Sequence, residues 1–418
     1  MFLMKKILVM PYGSCGDILP FIWLGKLLRA RGHDVTLITT PGYASYAEQS
    51  GLKFLATKNL VGEEMIANPG MSKKVEGTRL AYYYSGRAAG EFIEAVETWM
   101  STHGRPDLML AQKSCYGARL LREKLGLPLV TVHLYPLMMQ SAYEPSLLTP
   151  AFRWLRMLPL WMRKLIFAAP NPFDRHALAA LKPLCAAHGV AVPRDLEREW
   201  GHSQDGVLAL FPDWFAKRQP DWPQNLLQWH FPLEDLGDVP LAPDLVSFLK
   251  AGDKPVLFTP GSGPMHAHRF FEVAVKLVEE LQCRAVFVTR HLQQLPSVLP
   301  TSIHAVEYAP FSTLLPHTKA FVHHGGPGTV AQCFAAGIPQ LMMPMAHDQF
   351  DNADRVERLG AGLTISVDRF DVPHVMPLLK RCLTDETIRR NAALCAERMR
   401  QQPPDDQLIA WLEARMSS

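Results

Sequence analysis

Short, β-branched apolar runs alternate along this chain with longer stretches whose apolar residues recur at helical spacing. That alternation is the mark of βαβ units and parallel sheets. In the first half the predicted strands are Lys6–Pro11, Asp34–Thr39, Leu52–Ala56, Asp107–Ala111, Leu129–His133 and Val207–Phe211. An amphipathic helix is predicted from about Asp17 to Arg31, with Gly32 just past its end, where a left-handed residue closes a helix. The pattern breaks from Pro212 through Pro220, Pro223, Pro232, Pro240 and Pro243, a proline density that neither helix nor central strand accepts. It restarts with predicted strands at Val256–Thr259, Ala285–Thr289, Ile303–Glu307, Ala320–His323 and Gln340–Met343. A helix near Asp348–Leu359 and others after Asp371 follow. The expected class is therefore α/β, with two Rossmann-like domains. The first spans 1–218, a linker 219–245 and the second 246–402, with a C-terminal helix at about 403–418 packing back on the first. Ligands of such sheets bind at the carboxyl ends of the strands, so function is sought in the strand-to-helix turns.

Composition narrows the classes of function. The 418 residues are 48% hydrophobic and 20% charged, enough apolar material for two cores. Forty-three basic and 40 acidic residues leave a net charge of +3, without the basic stripe of a nucleic-acid binder. No run approaches the ~18 apolar residues of a membrane span. The apolar start is cut short by Pro11, and reads as a buried strand rather than a signal peptide. Seven cysteines, none in a Cys-x-x-Cys pair, predict a reducing, cytoplasmic setting and no zinc site. No His-Glu-x-x-His array or Asp-x-Asp motif occurs, so no metal is expected.

The most informative turn is Ala320-Phe-Val-His-His-Gly-Gly-Pro-Gly-Thr-Val-Ala-Gln332. A strand runs into His323 and His324, then Gly325, Gly326 and Gly328, then a helix. Glycines let backbone N–H groups approach a ligand, and a helix N-terminus favours negative charge. With Thr329 and His324 as added donors, this is a diphosphate cradle without lysine. The plain structural reading is a tight strand–helix connection. Gly326-Pro-Gly328-Thr-Val-Ala331 also fits a dinucleotide fingerprint, but Asp348 lies too far beyond Met343 to be its ribose-binding acid, and the fingerprint has no use for the histidines. An NAD-dependent dehydrogenase is thus the weakest alternative.

From Tyr308 to Asn352 the H-H-G-G-x-G-T core, the G-x-P and the P-x-x-x-D-Q-x-x-N resemble the donor-binding motif of family 1 glycosyltransferases, nucleotide-sugar-dependent enzymes of the GT-B fold. The resemblance covers essentially the whole chain. It implies two facing Rossmann-like domains with an interdomain cleft, and an inverting, metal-independent hexosyltransferase with no cofactor beyond its nucleotide-sugar co-substrate. It puts Tyr308 or Ala309 beside the nucleobase, His324 with Gly325, Gly326, Gly328 and Thr329 at the diphosphate, and Asp348 and Gln349 on the sugar hydroxyls. Gly261 and Ser262 match the family's phosphate-contacting loop. Gln332 stands where plant members carry a ribose-binding Glu, which favours a deoxyribose donor such as dTDP-sugar.

The first strand leads into Pro11-Tyr-Gly-Ser-Cys-Gly-Asp-Ile-Leu-Pro20, similar to the G-x-x-G-D-x-x-P turn of bacterial and sterol members. Asp17 stands where plant members have a catalytic His, and an acceptor hydroxyl needs a base there. The same Asp is also a natural helix cap, and the two roles are compatible.

The acceptor side is greasy. Tyr12, Tyr84, Tyr135, Met138 and Trp161 are its candidate residues, and 151–167 mixes Trp154, Trp161 and Phe167 with Arg153, Arg156, Arg163 and Lys164. That stretch reads as a membrane-surface helix, the mouth of a lipid pocket, or a core helix with snorkelling cations. Within the family, Pro159-Leu-Trp-Met-Arg-Lys-Leu165, Leu210-Phe-Pro-Asp-Trp-Phe215 and Asp221-Trp-Pro223 resemble the rhamnosyltransferases of rhamnolipid biosynthesis. This implies dTDP-L-rhamnose as donor, a 3-(3-hydroxyalkanoyloxy)alkanoate-type hydroxyl as acceptor, and a cytoplasmic enzyme with peripheral contact at the inner membrane. The alternatives are a UDP-glucose-dependent glucosyltransferase acting on a lipid, sterol or secondary metabolite, a nucleotide-sugar epimerase, and a non-catalytic nucleotide-sugar-binding partner.

Overall fold

A computed structural model describes residues 4–235, 239–261 and 267–416. It divides into two compact units, Met1–Gly237 with Pro403–Ser418, and Asp238–Gln402.

The first unit is built on a parallel sheet of strands β1 (Lys6–Met10), β2 (Asp34–Thr39), β3 (Lys53–Ala56), β4 (Leu108–Gln112), β5 (Leu129–His133), β6 (Val207–Ala209) and β7 (Leu226–Gln228). Their order is β3-β2-β1-β4-β5-β6-β7. Alternate residues of β1 enter different cores. Ile7 and Val9 pack with Phe21 and Leu24 of the helix Cys15–Ala30, and with Leu408 and Leu412 of the helix Asp406–Glu413. Leu8 and Met10 pack with Phe92 and Val96 of the long helix Lys74–His103. Burial on both faces explains why β1 reads as a continuous apolar run rather than an alternating one. Each fully buried Leu, Ile or Phe here contributes about 1.5–3 kcal/mol.

The C-terminal helix is tied to this unit by polar contacts as well. Asp405 accepts from His230 Nε2 at 2.8 Å and from Trp229 Nε1 at 3.3 Å, and Glu413 Oε1 lies 3.1 Å from His33 Nε2. One segment departs from expectation. β7 lies inside the stretch assigned to the linker, because Pro223 and Pro232 flank it without entering it. As an edge strand it tolerates prolines nearby.

The second unit carries β8 (Val256–Phe258), β9 (Ala285–Val288), β10 (Ile303–Val306), β11 (Ala320–His323), β12 (Gln340–Met342) and β13 (Gly362–Thr364), ordered β10-β9-β8-β11-β12-β13. Here too the strand residues split between two cores, with Phe258, Phe287 and Val322 in one and Leu257, Val286 and Phe321 in the other. β13 was not expected from the sequence. It pairs with β12 at Gln340↔Gly362, where a Cβ on Gly362 would fall 2.5 Å from the Gln340 carbonyl oxygen. Only glycine permits that approach.

Both sheets reverse their winding direction once, between β1 and β4 and between β8 and β11. Such switch points open a crevice at the carboxyl ends of the strands. The two turns singled out in the sequence, after β1 and after β11, both leave from these points.

Candidate functional sites in the two units

In the first unit β1 ends at Met10 and the chain turns through Gly13 into the helix Cys15–Ala30. Gly13 has φ +138°, and a Cβ there would fall 2.3 Å from Asp17 Oδ2. Glycine therefore lets the Asp17 carboxylate fold back over the turn. Asp17 Oδ2 accepts from the Ser14 backbone N–H at 2.8 Å and from Ser14 Oγ at 3.1 Å. Its other oxygen, Oδ1, accepts from Gln112 Nε2 at 3.0 Å. Burial raises the Asp17 carboxyl above its ordinary value, against the opposing pull of these hydrogen bonds. Asp17 is thus the third residue of a helix whose N-cap is Ser14, reaching back to the Ser14 N–H in a capping box, with its carboxyl held above its ordinary value at the switch point.

Gln112 was not among the residues read from the sequence. Its oxygen accepts from the Tyr12 backbone N–H at 3.1 Å. A backbone N–H only donates, so the oxygen must face Tyr12 and the NH2 must face Asp17. The register Met10↔Ala111 places Gln112 level with that turn, a neighbour relation that sequence spacing cannot reveal.

The candidate acceptor residues scatter. Tyr12 and Tyr84 belong to the core cluster on one face of the sheet, and Tyr135 packs against the cluster on the other. The Tyr12 hydroxyl lies 3.6 Å from Met65 Sδ, and Tyr84 OH accepts from Asn68 Nδ2 at 2.9 Å. Met138 is buried, and its carbonyl accepts from Lys113 Nζ at 2.9 Å. Trp161 instead stands 63% exposed.

The second unit concentrates the other candidates around the turn after β11. His323 is fully buried, with Nδ1 accepting the Gly325 N–H at 3.0 Å and Nε2 facing Gln340 Oε1 at 3.1 Å. Burial pushes it down to about 3, so it is a neutral brace. His324 is different. Its ring is sandwiched between two glycines: a Cβ on Gly326 would fall 2.6 Å from its Nε2, and one on Gly261 would fall 2.8 Å from its Nδ1. Gly261 and Gly325 also have φ +99° and +90°, which side chains resist. The buried Nδ1 of His324 meets no hydrogen-bond partner among the described residues. Burial pushes His324 down to about 4, leaving one N–H donor at neutral pH.

Gly326 then caps the helix Pro327–Ala336. A Cβ on Gly328, in its first turn, would meet nothing within 4 Å, so that backbone face is open. Thr329 follows, and Gln332 lies buried one turn further. The turn after β12 converges on the same place. Asn352 Nδ2 donates to the Gly325 carbonyl at 3.0 Å and to Asp348 Oδ2 at 2.6 Å, tying the two turns together. Gln349 Oε1 accepts from Met345 and Ala346 N–H groups at 2.8 and 3.2 Å, which leaves its NH2 as the group able to reach a ligand. The helix Gln349–Arg358 behind them is held by the buried pair Arg355 Nε–Asp351 Oδ2 at 2.8 Å. Tyr308 and Ala309 follow β10, half-buried and buried respectively. Ser262 lies outside the described residues. Among the described residues, no group of three or more His, Cys, Asp or Glu is placed to hold a metal ion.

Residues 7–144 match the glycosyltransferase family 28 N-terminal domain. Residues 275–414 match the erythromycin biosynthesis protein CIII-like C-terminal domain. Among curated relatives, a sterol 3-beta-glucosyltransferase of Debaryomyces hansenii is 25% identical over 93% of this chain. The chain spans only 25% of that relative's length. The O-mycaminosyltylonolide 6-deoxyallosyltransferase of Streptomyces fradiae is 26% identical, with 94% of each chain covered. Among solved structures, the calicheamicin glycosyltransferase CalG4 aligns with a TM-score of 0.73 at 20% identity, covering 99% of this chain and 98% of its own. The glycosyltransferase VinC, in complex with dTDP, aligns at 0.70 and 19% identity, covering 98% and 99%.

Proposed function

Since the chain belongs to the nucleotide-sugar glycosyltransferases of the GT-B fold, we propose that it moves L-rhamnose from dTDP-L-rhamnose onto the hydroxyl of a hydroxyacyl lipid, at the cytoplasmic face of the inner membrane. The observation that carries the reading is the His324 ring, held between Gly261 and Gly326 beside an open helix N-terminus. Backbone N–H groups, the positive helix end and a neutral imidazole suit a diphosphate. Asp348 and the NH2 of Gln349 supply an acceptor and a donor for sugar hydroxyls.

In this reading the acceptor oxygen bonds to the anomeric carbon as the bond from that carbon to the diphosphate oxygen breaks. Asp17 takes the hydroxyl proton, and its raised pKa makes it a better base than an exposed carboxylate. The electron pair of the broken bond leaves on dTDP, where His324 and the glycine turn stabilise its charge. The sugar therefore arrives with inverted configuration.

Gln332 supports the thymidine donor. A carboxylate could accept from both ribose hydroxyls, whereas an amide has one accepting oxygen. The dTDP bound by VinC is in keeping with that choice. A second reading, glucose from UDP-glucose onto a sterol-like hydroxyl, is favoured by the likeness to the Debaryomyces hansenii enzyme. Offering the pure protein dTDP-rhamnose and UDP-glucose together, with a hydroxyacyl lipid, decides between them. Consumption of dTDP-rhamnose alone supports the first reading, and consumption of UDP-glucose alone the second. Isomerised donor without acceptor would mark an epimerase, and no turnover a silent nucleotide-sugar-binding partner.

A further inference from the structure

In the first unit, two consecutive helices at Pro150–Met157 and Leu160–Ala168 bury none of their residues. Their composition makes that unusual. Trp154 is 50% exposed, Met157 84%, Trp161 63%, Leu165 65% and Ile166 41%. Isolated exposed apolar side chains need no explanation, but a run of them on one short segment marks a surface that something covers.

The charge of the segment identifies what covers it. From Pro145 to Phe173 the sequence holds no Asp or Glu. Arg156 Nε donates to the Pro145 carbonyl at 2.9 Å, and Arg163 donates to the Tyr143 carbonyl at 2.8 Å. These two guanidinium groups pin the segment to the loop before it. Arg153 and Lys164 are exposed beside the apolar side chains, with Lys164 lying 4.9 Å from the centre of the Tyr143 ring. A protein partner with an acidic rim would be matched by one charged edge. Here tryptophans and aliphatic side chains are interleaved with cations along the whole segment, the arrangement that sits at a headgroup boundary.

We propose that residues 150–168 form a docking surface for an anionic lipid bilayer. Trp154, Met157 and Leu165 enter the headgroup–acyl boundary, and Arg153 and Lys164 meet lipid phosphates. The segment thereby holds the protein at the surface where a lipidic acceptor resides. This deepens the lipid-acceptor reading and rests on it for its purpose, though the binding itself requires neither donor nor acceptor.

The test is co-sedimentation of the full chain with vesicles of phosphatidylcholine alone, and of phosphatidylcholine doped with phosphatidylglycerol. Binding is expected on the doped vesicles, weakening with added salt. The triple variant Trp154→Ser, Met157→Ser, Leu165→Ser should lose about tenfold or more of that binding. The double variant Arg153→Glu, Lys164→Glu should lose the preference for phosphatidylglycerol. All five positions are exposed, and an unchanged melting temperature shows that the variants remain folded. The proposal is overturned if wild type binds neither vesicle, or if wild type and triple variant bind alike. A lipid-free dimer abolished by the triple variant, with no vesicle binding, also overturns it and assigns the surface to a second copy. Because no donor is present, failure here leaves the sugar-transfer reading standing.

Discussion

The side-chain amide of Gln112 bridges the two ends of the turn after β1, accepting the Tyr12 backbone N–H at 3.1 Å and donating to Asp17 Oδ1 at 3.0 Å. The amide cannot flip without setting its NH2 against a backbone N–H, so Asp17 always meets a donor. A donated hydrogen bond favours the charged carboxylate and partly offsets the burial that raises its pKa. Gln112→Glu would put a second carboxyl group against Asp17. We expect the pH at which the rate rises to move upward, because a like charge disfavours ionisation of the base. Donor affinity should stay near wild type, and a pH–rate profile beside a dTDP titration separates the two effects.

Asp17→Asn keeps an oxygen to accept the Ser14 N–H but turns its NH2 toward that of Gln112, so the variant should fold at some cost in melting temperature. The rate of transfer should fall by about 10²-fold or more, with dTDP binding unchanged. Stability carries its own signature. Burial raises the folded-state pKa of Asp17 above its unfolded value. Its contribution is therefore present in acid and is lost as pH rises through the raised value, the reverse of a salt-bridged carboxylate. The melting temperature of wild type should fall relative to Asp17→Asn as the buffer is taken from acid to neutral.

Three substitutions around the glycine turn separate what the chain tolerates from what a ligand needs. Gly326→Ala drives a Cβ to within 2.6 Å of the His324 ring and should displace it. Gly328→Ala meets nothing within 4 Å, so the chain itself accepts it, and any loss of donor binding there reports the close approach of a ligand. His324→Ala should weaken dTDP binding by about 10- to 100-fold, the value of one hydrogen bond to a charged group. Because His324 titrates at about 4, its contribution should be flat between about pH 6 and pH 8. Isothermal titration of each variant across that range checks all three.

Asn352 joins the turns after β11 and β12, and Asn352→Leu removes the amide that Gly325 and Asp348 share. A cost of about 1–3 kcal/mol is expected, read as a lower melting temperature, together with weaker discrimination among sugar donors.

Gln332→Glu tests the base and ribose preference from the other side. Introducing a carboxylate that can accept from two hydroxyls should improve UDP binding relative to dTDP. Equal affinities in wild type would remove the support drawn from this position.

Much of the fold was legible because parallel strands buried on both faces announce themselves. β2, β5 and β11 have the bounds that the apolar runs predict. β7 and β13 were not legible, since each is a three-residue strand whose existence depends on a neighbour rather than on its own pattern. The glycine turn was legible because backbone conformations closed to other residues leave a mark in sequence. Gln112 left none, because it meets Asp17 across 95 residues of chain. Tyr12 and Tyr84 show where composition stops being informative. Aromatic residues suggested an acceptor wall, yet composition does not separate a pocket from a core, and both rings pack inside.

The most direct measurement follows the anomeric centre by NMR while the protein acts on dTDP-L-rhamnose and a 3-hydroxyacyl lipid. One rhamnosyl lipid is expected for each dTDP released, with the configuration at the anomeric carbon inverted, and no such product from Asp17→Asn. Retained configuration, or full turnover by Asp17→Asn, would contradict Asp17 as the base of an inverting transfer.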